Sequence, residues 1–282
     1  MKNTIIGLFA ALLFVSITGC EGNSSDDKGI SYIGTKTPTE AKVIGDIVFN
    51  DGSATPYTAD LSLSEEQKSA AIAIIFYTGT GLNSDINGVA NTETSRTLGV
   101  GLKHSTTGLA WCRWTNNSDY ANAFTKFINT ILCPASGSTG ALTFVADKDG
   151  SDNLEQISEF LSDPSNYTTD DTGTAANYPA FYFAKNYSSI ATNLGTIYAT
   201  GWYLPSIAEL FQIYNCRENG VNIVNAASNL CGGDQFGINF YCSSSQYDLG
   251  IDCVYALNVE TGEVDNCAKT NHPLVCAIRE FN

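Results

Sequence analysis

The stretch Gly201-Trp202-Tyr203-Leu204-Pro205-Ser206-Ile207-Ala208-Glu209-Leu210 constrains this chain more than any other. An extended aromatic segment turns there into a helix whose start signals agree with one another. The Ser206 hydroxyl can accept from the amide three residues on, and Glu209 can reach back to the Ser206 amide, the reciprocal capping box. Pro205 keeps the residue before it extended. Ile207, Leu210, Phe211 and Tyr214 then fall at i, i+3, i+4 and i+7, a single apolar helical stripe. A capping box by itself says only that a helix begins.

Upstream, Val43 to Phe49 predicts a first strand, ended by the turn signal Asn50-Asp51-Gly52. Ser64-Glu65-Glu66-Gln67 is a second capping box opening a short helix, and Ile72 to Tyr77 and Thr97 to Leu102 predict two buried strands. Asp119 is placed to cap a helix carrying Tyr120, Phe124, Phe127, Ile128 and Ile131, stopped by Cys133-Pro134. Asp152 would cap another, with Leu154, Ile157, Phe160 and Leu161 inward and Pro164 beyond its end. The acidic run Asp147 to Asp152 lacks the spacing of a calcium loop and reads as a turn leading into that cap. Tyr178 to Tyr187, with Pro179 at its first position, predicts an aromatic core helix. Past Cys231-Gly232-Gly233, Val254 to Val259 alternates like a strand, Glu260 to Glu263 turns it, and Leu274 to Phe281 is expected to pair back beside it. The pattern predicts one α+β domain over 41–282, with no internal repeat.

Lys2 and the apolar run Ile5 to Ile17 make an export signal over 1–19, the run being shorter than the roughly 20 residues that span a bilayer. Ser16-Ile17-Thr18-Gly19-Cys20 resembles the lipobox at which bacterial lipoproteins are cleaved, so Cys20 is expected to carry the acyl chains of a membrane anchor. The Ser-, Asn- and Asp-rich residues that follow predict a tether over 20–40. The formal charge of −15 disfavours nucleic acid, whose binding relies on Lys and Arg releasing counterions. Besides Cys20, the cysteines are Cys112, Cys133, Cys216, Cys231, Cys242, Cys253, Cys267 and Cys276; export permits disulfides, and Cys112 and Cys133 are the first candidates among about a hundred connectivities.

Three elements of the chain together resemble a known signature: Gly201-Trp202-x-Leu204-Pro205-x-x-x-Glu209-Leu210, then Tyr241-Cys242-Ser243-Ser244-Ser245-Gln246, then Val275-Cys276-Ala277-Ile278-Arg279-Glu280-Phe281. They resemble the bacterial C-type-lectin-fold family of the formylglycine-generating-enzyme type, and within it the treponemal variable lipoproteins that are display targets of diversity-generating retroelements. Cys242 stands where that family has Trp, and Cys276 where it often has Arg. The resemblance implies a C-type lectin fold, a lipid-anchored protein on the outer membrane at the cell surface, and a variable region over 239–274. There Ser243 to Gln246, Gly262, Lys269 and Val275 to Phe281 would hold the fold. The recognition residues would be Asn239, Phe240, Cys242, Tyr247, Asp248, Leu249, Ile251, Asp252, Cys253, Tyr255, Asn258, Asp265, Asn266, Cys267, Thr270, Asn271 and His272.

Composition supports that assignment in part, because Tyr and Phe give rigid contact area while Asn, Asp and Thr give adaptable hydrogen bonds. Of the expected outward set, Phe240, Tyr247, Asp248, Ile251, Asp252, Tyr255, Asn258, Asp265, Asn266 and His272 should share one exposed face. Catalysis is not expected. The histidines are His104 and His272, neither lies near a nucleophile motif, and no G-x-G-x-x-G or phosphate loop occurs. The cysteines after Tyr241 are too far apart for the two-thiol oxidase chemistry of the related branch. No cofactor or metal is called for: the calcium-lectin ligand strings are missing, as is any C-x-x-C pair. A variable receptor for a protein or cell-surface ligand, a glycan lectin and a structural lipoprotein remain in competition.

Overall fold

The computed structural model describes residues 31–83, 94–114, 123–166 and 170–281. Its strands are β1 (Asp46–Phe49), β2 (Ala54–Pro56), β3 (Ala71–Gly79), β4 (Arg96–Gly101), β5 (Ala135–Ser138), β6 (Ala141–Phe144), β7 (Trp202–Tyr203), β8 (Arg217–Glu218), β9 (Val221–Asn222), β10 (Phe240–Gln246), β11 (Cys253–Asn258), β12 (Glu263–Ala268) and β13 (Ile278–Glu280). Its helices are α1 (Glu65–Ala70), α2 (Asn153–Ser162), α3 (Pro179–Lys185), α4 (Ile207–Asn215) and α5 (Ile223–Leu230). A six-stranded sheet runs β2-β1-β3-β4-β13-β7, a three-stranded sheet runs β10-β11-β12, and β5-β6 and β8-β9 are small hairpins. Every named pairing is antiparallel, which makes this a single α+β domain.

The organising stretch forms as its residues dictate. Ser206 Oγ accepts from the Glu209 amide at 3.1 Å and Glu209 Oε2 accepts from the Ser206 amide at 2.8 Å. Glu209 is wholly buried; its carboxylate also accepts from Gly150 N (3.0 Å) and Tyr203 Oη (2.8 Å) and faces Arg96, which is itself paired with Asp149 at 2.7 Å. Burial pushes the Glu209 carboxyl up to about 8, with Arg96 pulling it back. Trp202, Leu204, Leu210 and Phe211 are buried as expected, while Tyr214 is half-buried at the end of the stripe. Gly201 holds a φ of +84°, which glycine adopts without strain.

Two apolar clusters lie on the two sides of the sheets. Ile74 and Phe76 of β3 join Leu210 and Ile213 of α4 and Val224 of α5 in one, while Ala73 and Ile75 join Phe181, Trp202 and Phe281 in the other. The second capping box, on Ser64 and Gln67, and the helix begun by Pro179 are both present.

Several elements depart from expectation. The residues after Ala123 form two single 3₁₀ turns, Ala123–Thr125 and Asn129–Ile131, in place of a helix; Asp119 and Tyr120 lie outside the described residues. Tertiary partners there replace the helical i→i+4 bonds: the Ile128 amide donates to Gln246 Oε1 (3.1 Å), and the Ala123 and Lys126 carbonyls accept from Lys269 Nζ. Asp152 precedes α2 but makes no side-chain cap, its carboxylate accepting instead from Gln156 Nε2 at 2.8 Å. Helix α5, capped by Asn222 through the Asn225 amide, is an element that the sequence pattern does not predict.

The last strand is the largest correction. β13 pairs with β4 and β7, and β12 takes the place beside β11. Leu274 still touches β10, exchanging backbone bonds with Phe240 and Cys242, after which Ser105 N donates to Val275 O and Gly101 N to Ala277 O. The segment is thereby drawn across to the six-stranded sheet. The folded unit also begins at Tyr32 and not at 41, because the Ile33, Gly34 and Thr35 amides donate to Asp51, Ser53 and Thr55 and Lys36 bridges Ala54.

Candidate functional site: a cleft and a loop of the three-stranded sheet

The register of the sheet decides which C-terminal side chains meet. Phe240, Cys242 and Asn258 share a face with Ala256, Asp265 and Cys267, because Phe240 opposes Asn258, Cys242 opposes Ala256, Ala256 opposes Asp265 and Val254 opposes Cys267. Tyr255 and Asn266 oppose each other on the other face.

A bulge between Cys242 and Gln246 takes the three serines out of the ladder and gives their polar groups other work. Ser243 Oγ donates to Tyr255 O at 2.7 Å, and Ser245 Oγ accepts from the Ile207 amide at 3.1 Å, tying β10 to the start of α4. Ser244 Oγ donates to the Asn153 side-chain oxygen at 2.7 Å, whose nitrogen donates to Asp147 Oδ2 at 2.6 Å. The backbone amide of Ser244 donates to Pro205 O at 2.7 Å. Gln246 Nε2 donates to Lys126 O and Ile251 O. Every one of these side chains is fully buried, so the hydroxyl cluster is structural in its bonding.

Lys269 adds to these bonds, sharing the Lys126 and Ile251 carbonyls with Gln246. It is completely buried, and its Nζ donates to Ala123 O (2.7 Å), Lys126 O (3.0 Å) and Ile251 O (2.7 Å) while lying 5.1 Å from the Trp111 ring centre. Burial pulls the ammonium down to about 8. Its contacts join the 3₁₀ turns to the loop between β10 and β11.

The predicted recognition residues divide. Asn239, Leu249, Ile251, Asp252, Asp265, Asn266, Asn271 and His272 are exposed, Leu249 to 80% and Ile251 to 50%. Phe240, Tyr247, Asp248, Cys253 and Thr270 are half-buried. Cys242, Tyr255, Asn258 and Cys267 are buried, which corrects the expectation that Tyr255 and Asn258 point to solvent. Tyr255, 4% exposed, packs edge-on to Tyr247 at 5.2 Å and donates to Asp248 Oδ1 at 2.5 Å, since its face of the sheet lies against α4. Asn258, 6% exposed, spends its amide on Ile238 O and the Glu260 and Thr261 amides, holding the hairpin turn.

The recognition residues fall on two features, a cleft and a loop. Phe240, Asp265, Cys267, Asn271 and His272 gather with Ala256 and Pro273 around a cleft of ≈ 300 Å³. Tyr247, Asp248, Leu249, Ile251 and Asp252 lie on the loop between β10 and β11, and Cys253 begins β11. The cleft wall at 271–273 was not evident from composition. It is set by Asn271 N donating to Ala268 O (2.8 Å) and Leu109 N donating to Pro273 O (2.9 Å), and Gly108 passes so close that a Cβ there would clash with His272 O.

The eight described cysteines are free thiols, so the Cys112–Cys133 pairing expected from sequence is not formed. The reason is positional: Cys112 packs in the cluster with Trp111, and Cys133 in the other cluster with Leu210. Burial raises the thiols of Cys242 and Cys276 and pushes Cys267 up to about 11, leaving them protonated and weakly nucleophilic. His104 is buried beside Tyr241, its Nδ1 lying 2.8 Å from Tyr241 Oη. In the acidic run Asp147 and Asp149 accept from backbone amides two residues on, which makes it a series of turns. Cys20 lies outside the described residues.

No protein-family model matches the chain, and no curated protein does. Among solved structures it is similar to a fimbrial protein from Bacteroides ovatus ATCC 8483, with a TM-score of 0.53 and 17% identity over 85% of this chain. The chain spans about half of that protein, 49% of its length. The likeness is one of fold.

Proposed function

We propose that this chain is a surface-displayed ligand-binding lipoprotein of the C-type-lectin-fold type, anchored through Cys20 in the outer membrane, whose C-terminal region presents diversified residues to a protein or cell-surface ligand. One observation carries the reading. Of the residues that the resemblance assigns to holding the fold, Ser243 to Gln246, Gly262, Lys269 and Val275 to Phe281, all are buried except the half-buried Arg279 and Glu280, while most of those it assigns to recognition are exposed or half-exposed. A core position tolerates little change in volume and an exposed one tolerates much, so such a division suits a surface that varies on a constant frame.

Recognition on this reading is reversible and non-catalytic, with aromatic side chains as anchors and no bond made or broken. The fimbrial description of the Bacteroides ovatus protein is in keeping with a role at the cell surface. The exposed aliphatics Leu249 and Ile251 favour a receptor over a purely structural lipoprotein, since exposed apolar side chains beside polar ones mark contact surfaces.

The coding DNA provides the test. A nearby imperfect copy of the region encoding Phe240 to Phe281, differing at adenines and accompanied by a reverse transcriptase gene, is the expected finding. Identical sequences at 239–274 across many isolates, with no such copy, would remove the diversification. Replacing Cys20 by Ser and fractionating the cells tests the anchor separately: a protein that stays with the membrane would overturn it.

A further inference from the structure

The cleft between the three-stranded sheet and the 271–273 segment has a composition that selects among ligands. Its floor is apolar, formed by Phe240, Ala256 and Pro273, with the protonated Cys267 thiol beside them. Its polar side chains are Asp265, Asn271 and His272. Asp265 Oδ1 accepts from the Asn266 amide at 2.9 Å, which fixes the carboxylate and leaves Oδ2 to meet a ligand.

The exposed charge of the segment itself has one sign. Within 239–274 the exposed charged side chains are the carboxylates Asp252, Glu260, Glu263 and Asp265, and the half-exposed Asp248 adds to them. The segment's cation, Lys269, is fully buried with its donors spent on backbone carbonyls. An anionic ligand would meet repulsion here and a cationic one attraction. The walls are already in place for either, because β10, β12 and 271–273 are tied together by backbone bonds.

From this shape and charge we infer that the cleft takes an arginine side chain presented by a partner protein. The methylene stem would lie along Phe240 and Pro273, and the guanidinium would meet the Asp265 carboxylate with its planar face against the Phe240 ring. Arginine suits the site better than lysine because its fork matches a carboxylate in two places and its head is more weakly hydrated. Buried arginine anchors are common centres of protein interfaces. The inference rests on the ligand-binding reading above and adds the chemistry of the partner.

The test is a titration of the full chain with N-acetyl-arginine amide and with its uncharged isostere, N-acetyl-citrulline amide, followed by chemical-shift changes at Phe240, Asn271 and His272. Saturable changes at these residues are expected with the arginine probe, about tenfold weaker with citrulline, as a charge-assisted bond implies. Asp265→Asn should abolish the preference, and Asp252→Asn, outside the cleft, should keep it. If Asp265→Asn misfolds by circular dichroism, Phe240→Ala replaces it and should lose binding of both probes. Equal binding of the two probes, changes confined to other residues, or a preference for N-acetyl-aspartate amide would overturn the inference. None of those results touches the display reading, which stands or falls on the coding locus.

Discussion

Lys269 and Asp265 sit four residues apart along β12 and the turn after it, and the fold treats their charges in opposite ways. Lys269 is fully buried and spends its protons on carbonyls of the 3₁₀ turns and of the loop between β10 and β11; Asp265 is turned out to the cleft with one oxygen uncommitted. The same contrast runs through the region. Ser243 to Gln246 are buried and bonded to α4, the 3₁₀ turns and the 147–153 segment, whereas Ile251 and Asp252 are held through their backbone and, with Leu249, turn their side chains to solvent. Frame and display surface therefore alternate within a few residues of one another. A surface can be changed without loss of fold only if its neighbours in sequence are held from elsewhere.

The largest effect should come from removing the buried ammonium. Lys269→Ala would remove three charge-assisted bonds at once, leave the Lys126 and Ile251 carbonyls to Gln246 Nε2 alone and empty a fully buried position, and a loss of about 3 to 5 kcal/mol in chemical denaturation is expected. A loss below about 1 kcal/mol would mean that water replaces the lysine and that the frame is looser than its bonding suggests. Tyr255→Ala should follow at about 3 kcal/mol, because the ring is sealed against α4 and Tyr247. If Tyr255→Ala instead leaves stability unchanged and weakens ligand binding, this residue belongs with the display set.

How much of this contrast the sequence disclosed depends on the range of the interactions. Capping boxes, the Pro179 start and the stripe on α4 are local, and they formed where the residues placed them. Ile128 and Ile131 were rightly read as buried, but their helix was not formed, since the bonds that replaced it come from Gln246 and Lys269, more than a hundred residues away. β13 failed for a similar reason: a short apolar strand fits either sheet, and pairing partners carry no mark in a single sequence. The cleft needed the register of β10, β11 and β12 before Phe240, Asp265 and His272 could be seen as neighbours. Alternation in β11 did contain the clue to Tyr255, which shares its face with the inward Leu257.

Acid should loosen the frame before it alters the surface. His104 is buried against Tyr241 and Phe236, and burial lowers its pKa from 6.5 to about 4. The unfolded chain then binds a proton that the folded chain refuses, so the contribution is fully present above pH 6.5 and is lost as pH falls towards 4. By pH 4 the loss reaches about 3 kcal/mol. His104→Gln, which keeps a polar group facing Tyr241, should flatten the decline between pH 6.5 and 4 relative to the unsubstituted chain. Parallel curves for the two proteins would show that His104 takes up its proton without unfolding.

The smallest effect on stability, and the sharpest test of the contrast, should come from changing the display surface as a group. Leu249, Ile251, Asp252, Asn266 and His272 are all exposed, and single substitutions at such positions usually stay within about 0.5 kcal/mol. Replacing the five together by Ser removes no buried surface of consequence. Exposed apolar groups contribute little to folding, and the side chains of Leu249, Ile251 and His272 take no part in the bonds that hold β10, β12 or the 271–273 wall. The expected change in the melting temperature is therefore no more than about 3 °C, set against the much larger loss from Lys269→Ala alone. Binding to a partner should fall sharply in the same variant, because the contact area on the loop between β10 and β11 is gone while the frame is intact. A variant that unfolds would show that these side chains carry structural weight, and frame and display surface would no longer be separable. A variant that folds and still binds as before would move the contact elsewhere, leaving the cleft around Phe240 and Asp265 to account for recognition without the loop.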